Sequence, residues 1–358
     1  MSDASNTPPG QDQFGSPQGQ EKVAARILRR WRQLSGGKQV RDHERRTLIA
    51  CSGGADSVCL VRALAKYPSS CIVAYIQHDI RAVDVTSEEV DFVAELAHRL
   101  EMGFETMQIA VTGFDGNLEA NARRLRYESL KQIAKKNNCR YIATGHHADD
   151  QLETLLMNLI RGSGPSGMAA MAESRPLSAD IDLIRPLLGI SREQIEIYLK
   201  NLNQPWCQDQ TNEDQEYLRN RIRHSVIPEL RAIEPDISLR AVSWTQDING
   251  FQNLLTRDVE ELFDRGTLNG QTWSLSRAQL RVAEPVVLGS LLHFYFRTIH
   301  GPENADSITR RSIESWVQAV KSQSTDPSEH RVGPIVSHIT SKTVSLDRAG
   351  LSGEREVS

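Results

Sequence analysis

The sequence predicts a doubly wound, mostly parallel α/β sheet followed by a smaller, mainly helical domain. Two features of the pattern carry this expectation. From residue 47 to about residue 190, short β-rich apolar runs alternate with amphipathic helical stretches, the signature of a parallel sheet covered on both faces. After about residue 190 the strand signals fade and one helical stretch follows another. With 358 residues, 39% of them hydrophobic, the chain can bury a sizeable core, and its length suits two domains rather than one.

Residues 1–20 are rich in Pro, Gly, Ser, Gln and Asn, cannot offset the entropy of ordering, and are expected to form a disordered tail. Folding is expected to start near Glu21, because Val23, Ile27, Leu28 and Trp31 recur at helical spacing up to the Gly36-Gly37 pair. Strands are expected at 47–51, 71–77, 104–111 and 140–144, with helices at 57–66, 86–102 and 117–137 between them. Further helices are expected at 191–202, 216–233, 238–264 and 276–299. Weak strand character at 336–344 is the last signal. These limits give a catalytic nucleotide-binding domain over 21–226, a helical domain over 227–330 and a C-terminal tail over 331–358.

Composition excludes several classes. No run of about 18 apolar residues exists and the first 20 residues are polar, so neither a membrane span nor a secretory signal is expected, and a cytoplasmic location is. Cys51, Cys59, Cys71, Cys139 and Cys207 form no C-x-x-C pair, which argues against a zinc ribbon, an iron-sulfur cluster or a disulfide scaffold. They read as ordinary buried thiols. The formal net charge of −4 does not mark a nucleic-acid binder. The basic residues are nevertheless unevenly spread, crowding into 22–46, into 123–140, and into Arg219, Arg221 and Arg223.

The first chemical motif is Cys51-Ser52-Gly53-Gly54-Ala55-Asp56-Ser57, which runs from a strand through a Gly-rich turn into a helix. A helix N-terminus offers free backbone N–H groups and a partial positive charge, and glycines let the backbone approach phosphate closely. No Lys follows the glycines, so this is not the G-x-x-x-x-G-K-[ST] loop. An Asp here would repel phosphate unless a divalent cation lay between them, so Asp56 is read as reaching Mg²⁺ on a bound nucleotide. The S-G-G-x-D-S pattern resembles the PP-loop ATP pyrophosphatases. That resemblance implies ATP binding by Ser52, Gly53, Gly54, Ala55, Asp56 and Ser57, with cleavage between the α and β phosphates.

A second strand-to-helix junction reads Thr144-Gly145-His146-His147-Ala148-Asp149-Asp150-Gln151-Leu152-Glu153-Thr154. Leu152, Leu155, Leu156, Leu159 and Ile160 form an apolar stripe that is expected to anchor this helix against the sheet. Asp150 and Glu153 share one face of its first turn. An acid at the cap with Glu three residues on also fits a capping box. The junction's place at a strand's carboxyl end, where open α/β sheets bind ligands, favours a functional role.

The run from His146 through Met157, Leu159 and Arg161 to Gly164 is similar to the signature of the tRNA(Ile)-lysidine synthetases. Asn117-Leu118-Glu119-Ala120 with Ala122, Arg123, Arg126 and Tyr127 is similar to the family's arginine-bearing helix. Ile184-Arg185-Pro186-Leu187-Leu188, Asp209 with Thr211-Asn212, and Arg219 to His224 follow in order, so the resemblance covers about residues 45–228. In Gln77-His78-Asp79-Ile80-Arg81 the chain departs from the Gly-Leu or similar pair usual between His and Arg.

The resemblance implies that ATP adenylates the C2 oxygen of the wobble cytidine in an isoleucine tRNA with a CAU anticodon, and that the ε-amine of L-lysine then displaces AMP. It implies a catalytic set of Asp150, Glu153, Arg126 and His146, metal placement by Asp56 and Asp150, and tRNA or phosphate contacts by Arg219, Arg221 and Arg223. Glu153 and His146 would hold or deprotonate the amine; Arg126 would pair with lysine's carboxylate or with phosphate. ATP and Mg²⁺ are the implied cofactors, and a homodimer is one arrangement the sequence leaves open. A tRNA-thiolating relative of the same superfamily, or a catalytically silent ATP- and RNA-binding module, are the competing readings.

Overall fold

The computed structural model describes residues 17–79, 83–111, 118–162, 165–207, 217–301 and 308–348. Arg81, Asn117, Ser163, Gly164, Asp209, Thr211 and Asn212 lie outside them, as do residues 1–16 of the expected N-terminal tail. The chain divides into two compact units, Met1–Ile248 and Asn249–Ser358.

The first unit opens with α1 (Pro17–Leu34), which begins four residues before the expected start of folding. Its Pro17 sits at the first helical position, where the missing N–H costs nothing. Then come β1 (Thr47–Ala50), α2 (Ala55–Leu64), β2 (Cys71–His78), α3 (Val83–Arg99), β3 (Gly103–Ile109), α4 (Leu118–Lys136), β4 (Tyr141–Ala143) and α5 (Ala148–Ile160). A short α6 (Pro165–Met168), the hairpin β5 (Ser174–Ser178) and β6 (Ile181–Ile184), and α7 (Arg192–Asn201) follow.

The six strands form one sheet in the order β3-β2-β1-β4-β6-β5, parallel except for the pairing of β5 with β6. The hairpin was not expected from sequence, because Pro176 and a register shift between Pro176 and Ser178 obscure its alternation. In β1, Leu48 and Ile49 are both fully buried, yet in different clusters: Ile49 among α1, α2, α3 and α7, Leu48 among residues of α4. That alternation is the two-sided burial the apolar runs predict. Strand order reverses at β1, with β2 on one side and β4 on the other, so a crevice opens at the carboxyl ends of β1 and β4.

The two turns that leave those strands meet at Gly145. A Cβ there would stand 3.0 Å from the carbonyl carbon of Asp56 and 3.0 Å from the backbone nitrogen of Ser57. Only a residue without a side chain lets the second turn lie directly against the first.

Past α7 come α8 (Tyr217–Arg221), a π-helical turn at Ile222–Val226, α9 (Ile227–Ile233) and α10 (Ile237–Asp264). The expected anchoring of α5 against the sheet gives way to a different packing. Leu152 and Met157 are buried with Ile222, Ile227 and Ala241, and Leu155 and Leu156 join them, while Leu159 and Ile160 are exposed. The apolar stripe faces other helices. Gln151 adds a bond from its Nε2 to Thr245 Oγ1 at 2.8 Å. Residues 227–248 therefore group with the first unit, and the division falls after Ile248 rather than after residue 226.

The second unit holds the end of α10, β7 (Thr267–Asn269), β8 (Thr272–Ser276), α11 (Arg277–Val282), α12 (Pro285–His300), α13 (Arg310–Lys321), β9 (Ser328–Val332), β10 (Ile335–Ile339) and β11 (Thr343–Arg348). Its helices up to His300 correspond to the stretches expected at 238–264 and 276–299, whereas α13 was not singled out. Its antiparallel sheet, ordered β7-β8-β11-β10-β9, was legible only as the weak signal near 336–344, and residues 328–348 are an integral part of it rather than a tail. The strands span three to six residues each, so little periodicity accumulates. Pro285, unable to donate a helical hydrogen bond, divides the helix expected at 276–299 in two. The fully buried Arg277 donates to the carbonyls of Ala319, Val320, Ser322, Ser324 and Thr340, tying the end of α13 to the loop before β11. Among the described residues no helix is long and apolar enough to cross a membrane.

Replacing Gly145 by Ala is expected to lower stability by about 1–3 kcal/mol, the usual cost of forcing extra atoms against fixed backbone. Gly189→Ala, where an added Cβ meets nothing within 4 Å, is the control. Equal denaturation midpoints for the two variants would remove Gly145 as the contact between the turns.

Candidate active site

The first turn is built to leave backbone donors open. Gly54 precedes α2 in an extended conformation, and no side chain caps the helix. Ser57 braces the loop by donating from Oγ to the Gly54 carbonyl at 2.9 Å and accepting from the Ser52 N–H at 3.2 Å. Gly53 has φ +82°, and a Cβ on it would stand 3.0 Å from Cys207 Sγ, whose own N–H donates to the Gly53 carbonyl at 2.9 Å. Glycine is required there on both counts.

A cavity of about 350 Å³ lies beyond this turn. Ser52, Gly54, Asp56 and Ser57 line one side; Thr144, Gly145, His146 and Asp150 line another; Arg126 and Tyr127 of α4 complete the wall. Both motifs singled out in the sequence thus open onto one space. Tyr75 and Glu89, joined by a 2.6 Å hydrogen bond, line it as well and were not anticipated.

The second turn is organised by His147, whose role the sequence pattern does not announce. His147 is buried at the N-cap of α5, and Asp150, three residues on, accepts from its backbone N–H at 3.0 Å. The capping box is therefore real, but it joins His147 to Asp150 and leaves Glu153 for other work. The His147 ring stands 3.5 Å from the carboxylates of Asp56, Asp149 and Asp150. Burial disfavours a charged ring, but Asp150 first, then Asp149 and Asp56, outweigh it and push its pKa up to about 10. Asp150 is held below the usual carboxylate range: burial works against the charge, and the positive His147 outweighs burial.

His146 behaves in the opposite way. Burial, with the charges of Arg185, Arg123 and Arg126, lowers its pKa to about 4 despite the nearby Asp150. It is a neutral ring at physiological pH, 2.8 Å from Thr144 Oγ1 through Nδ1.

Asp149 clasps helices rather than ligand. Its Oδ1 accepts from Arg231 and Ser238, and its Oδ2 accepts from the Arg192 N–H at 2.7 Å. Arg192 also reaches Asp56 Oδ2 at 3.3 Å. The other Asp56 oxygen is buried without a hydrogen-bond partner, an acceptor suited to a cation. Among the described residues no three His, Cys, Asp or Glu side chains cluster as a metal site. A Mg²⁺ held here would take one or two carboxylates from the protein and the rest of its shell from phosphate and water, which the pair Asp56 and Asp150 fits.

Glu153 does not line the cavity. It is 2% exposed, and both oxygens are taken: Arg219 Nε at 2.9 Å and Arg223 Nη2 at 3.0 Å on Oε2, Arg223 Nε at 2.6 Å on Oε1. Arg219 and Arg223 also approach Asp150 Oδ1 at 3.9 and 3.7 Å. Of the three arginines that alternate in the sequence, these two turn inward together, four residues apart, and the exposed Arg221 does not join them at Glu153. All five cysteines have pKa values pushed upward by burial, Cys207 to about 11, so none is primed as a thiolate.

The raised pKa of His147 makes a pH prediction. The unfolded value is near 6.5, so the stability from the charged ring is complete below that pH and is lost as pH climbs toward about 10. The difference in melting temperature between the wild type and His147→Gln is expected to shrink from pH 6.5 to 10. A constant difference across that range would show that the ring is uncharged.

Comparison with known proteins agrees with this geometry. The model of the PP-loop domain family matches residues 22–230. A curated tRNA(Ile)-lysidine synthase from Nostoc sp. is 40% identical over 61% of this chain and 62% of its own length; one from Geobacter sulfurreducens is 37% identical over 62% and 47%. One from Rhodopirellula baltica is 30% identical over 71% of this chain and 70% of its own length. The chain thus spans about half to two thirds of the length of the first two relatives. Among solved structures, the U34-tRNA thiolase NcsA from Methanococcus maripaludis with its [4Fe-4S] cluster shares the fold, with a TM-score of 0.54 and 16% identity over 64% of this chain and 80% of that one. With the PP-loop domain matched over more than half of this chain, and a curated relative aligned over more than two thirds of its own length, the chain belongs to the tRNA(Ile)-lysidine synthase family.

Proposed function

We propose that this chain ligates L-lysine to C2 of the wobble cytidine of isoleucine tRNA bearing a CAU anticodon, consuming ATP and releasing AMP and pyrophosphate, in the cytoplasm. The observation that carries the reading is the single cavity lined by Ser52 and Asp150, which lets one nucleotide meet both motifs. Membership of the lysidine synthase family favours this chemistry over base thiolation. The raised cysteine pKa values argue the same way.

Residues Ser52 to Ser57 cradle the phosphates through open backbone donors at the start of α2. Mg²⁺, held by Asp56 and Asp150, would neutralise charge on the triphosphate. Attack on the α-phosphate gathers negative charge, and Arg126 at the cavity wall faces it or the carboxylate of lysine. His146, uncharged, offers a hydrogen bond to the incoming amine. Cationic surroundings and burial favour the neutral amine that attack requires. Glu153 acts one step back, holding Arg219 and Arg223 beside Asp150. Arg221 and the region after residue 226 are assigned to tRNA.

The direct test mixes the protein with ATP, Mg²⁺, radiolabelled lysine and unmodified CAU-anticodon tRNA. Label in RNA together with AMP release is expected; silence in both with folded protein would favour a binding module. Asp150→Asn keeps an acceptor for the His147 N–H but removes the charge that most favours the positive ring, so its melting temperature should fall while adenylation falls about a hundredfold or more. Unchanged turnover with a lower melting temperature would reduce Asp150 to a cap.

A further inference from the structure

Tyr127 of α4 carries an unusual load of positive charge. Its ring lines the cavity, and the guanidinium carbons of Arg123, Arg126 and Arg175 lie 5.4, 5.8 and 5.4 Å from its centroid. Behind them Arg185, 3% exposed, donates to the Ala172 carbonyl and keeps a buried Nε without a hydrogen-bond partner. Arg123 and Arg175 reach the ring from different elements, a helix and the edge strand β5.

Among the described residues Arg123, Arg175 and Arg185 form no ion pair. The neighbouring acids are committed elsewhere: Glu173 to Arg30 Nε at 2.8 Å, Glu128 to Lys131 Nζ at 2.6 Å. Like charges collected around one ring repel each other, and burial of Arg185 sharpens that cost. The group's lowered pKa, caused by burial and then by Arg175 and Arg123, reports the same strain. Such a cluster suits an anion that brings more than one charge.

We propose that Arg123 and Arg175, backed by Arg185 and stacked on Tyr127, hold adjoining backbone phosphates of the RNA substrate at the rim of the cavity. A phosphodiester accepts the planar guanidinium fork in two hydrogen bonds, and adjoining phosphates along a strand suit arginines that arrive from two elements. A free amino acid's carboxylate needs one such partner, a part open to Arg126 on the cavity wall. The inference rests on the proposed RNA substrate and adds where its backbone is gripped.

The test is the double variant Arg123→Ala/Arg175→Ala, with Arg126 untouched. Affinity for a CAU anticodon stem-loop RNA is measured at several salt concentrations, alongside ATP affinity and the KM for lysine. RNA binding is expected to weaken about tenfold near 0.1 M salt, and the slope of log affinity against log salt to fall by about 0.7–0.9 for each phosphate no longer neutralised. ATP affinity and lysine KM should stay within about twofold. Arg175→Gln alone, expected to show about half the slope change, serves if the double variant does not fold. An unaltered slope overturns the proposal, as does a raised lysine KM with RNA affinity intact, which would make the cluster an amino-acid carboxylate site. RNA affinity absent from the wild type overturns this inference and the proposed function together; labelled tRNA with an unaffected variant overturns this inference alone.

Discussion

The site depends on one contact, the seating of Gly145 against the backbone of Asp56 and Ser57. Two turns that belong to motifs nearly a hundred residues apart are brought to van der Waals distance because one of them has no side chain there. The parallel register sets up this meeting: β1 pairs with β4 from Thr47 opposite Tyr141, so both chains leave the sheet at the same level. His147 then closes the junction electrostatically, standing 3.5 Å from carboxylates of both turns. A buried positive ring between three acids holds Asp150 below the usual carboxylate range and stands 3.5 Å from both Asp56 and Asp150, the pair that can share a cation.

The acids of α5 are divided by their partners. Asp149 commits its oxygens to Arg231, Ser238 and the start of α7, and so orients helices. Glu153 gives both of its oxygens to Arg219 and Arg223. Of the three, Asp150 lines the cavity, and its Oδ2 secures the helix cap. Three carboxylates within five residues thus take three different tasks, and the difference comes from which helix each one meets. The π-helical turn between α8 and α9 lies beside this arrangement, with Ile222 buried against α5 and Arg223 turned to Glu153.

Much of the first unit was legible in the sequence because its signals are local. Apolar runs at 47–51 and 71–77 can hardly be anything but buried strands, and the Ser52–Ser57 turn announces its chemistry through glycines and a lone Asp. The hairpin β5–β6 and the sheet of the second unit were missed for the opposite reason. Their strands are short, one is interrupted by Pro176, and their stability comes from partners such as β8 with β11, far apart in the chain. Glu153 shows the same limit at the level of one side chain. Spacing placed it on the face of Asp150, and only the packing of α8 and the π-turn showed that two arginines hold it.

By itself the sequence determined the family, the doubly wound parallel sheet and the two turns that carry its chemistry, since each is written in contiguous residues. The tertiary structure decided the charge states of His146, His147, Asp149 and Asp150, because those follow from which groups are buried together. His146 and His147 are adjacent in the chain and of one residue type, yet one is held neutral near pKa 4 and the other charged near 10. Arginines surround the first and carboxylates the second, and no local pattern records that difference.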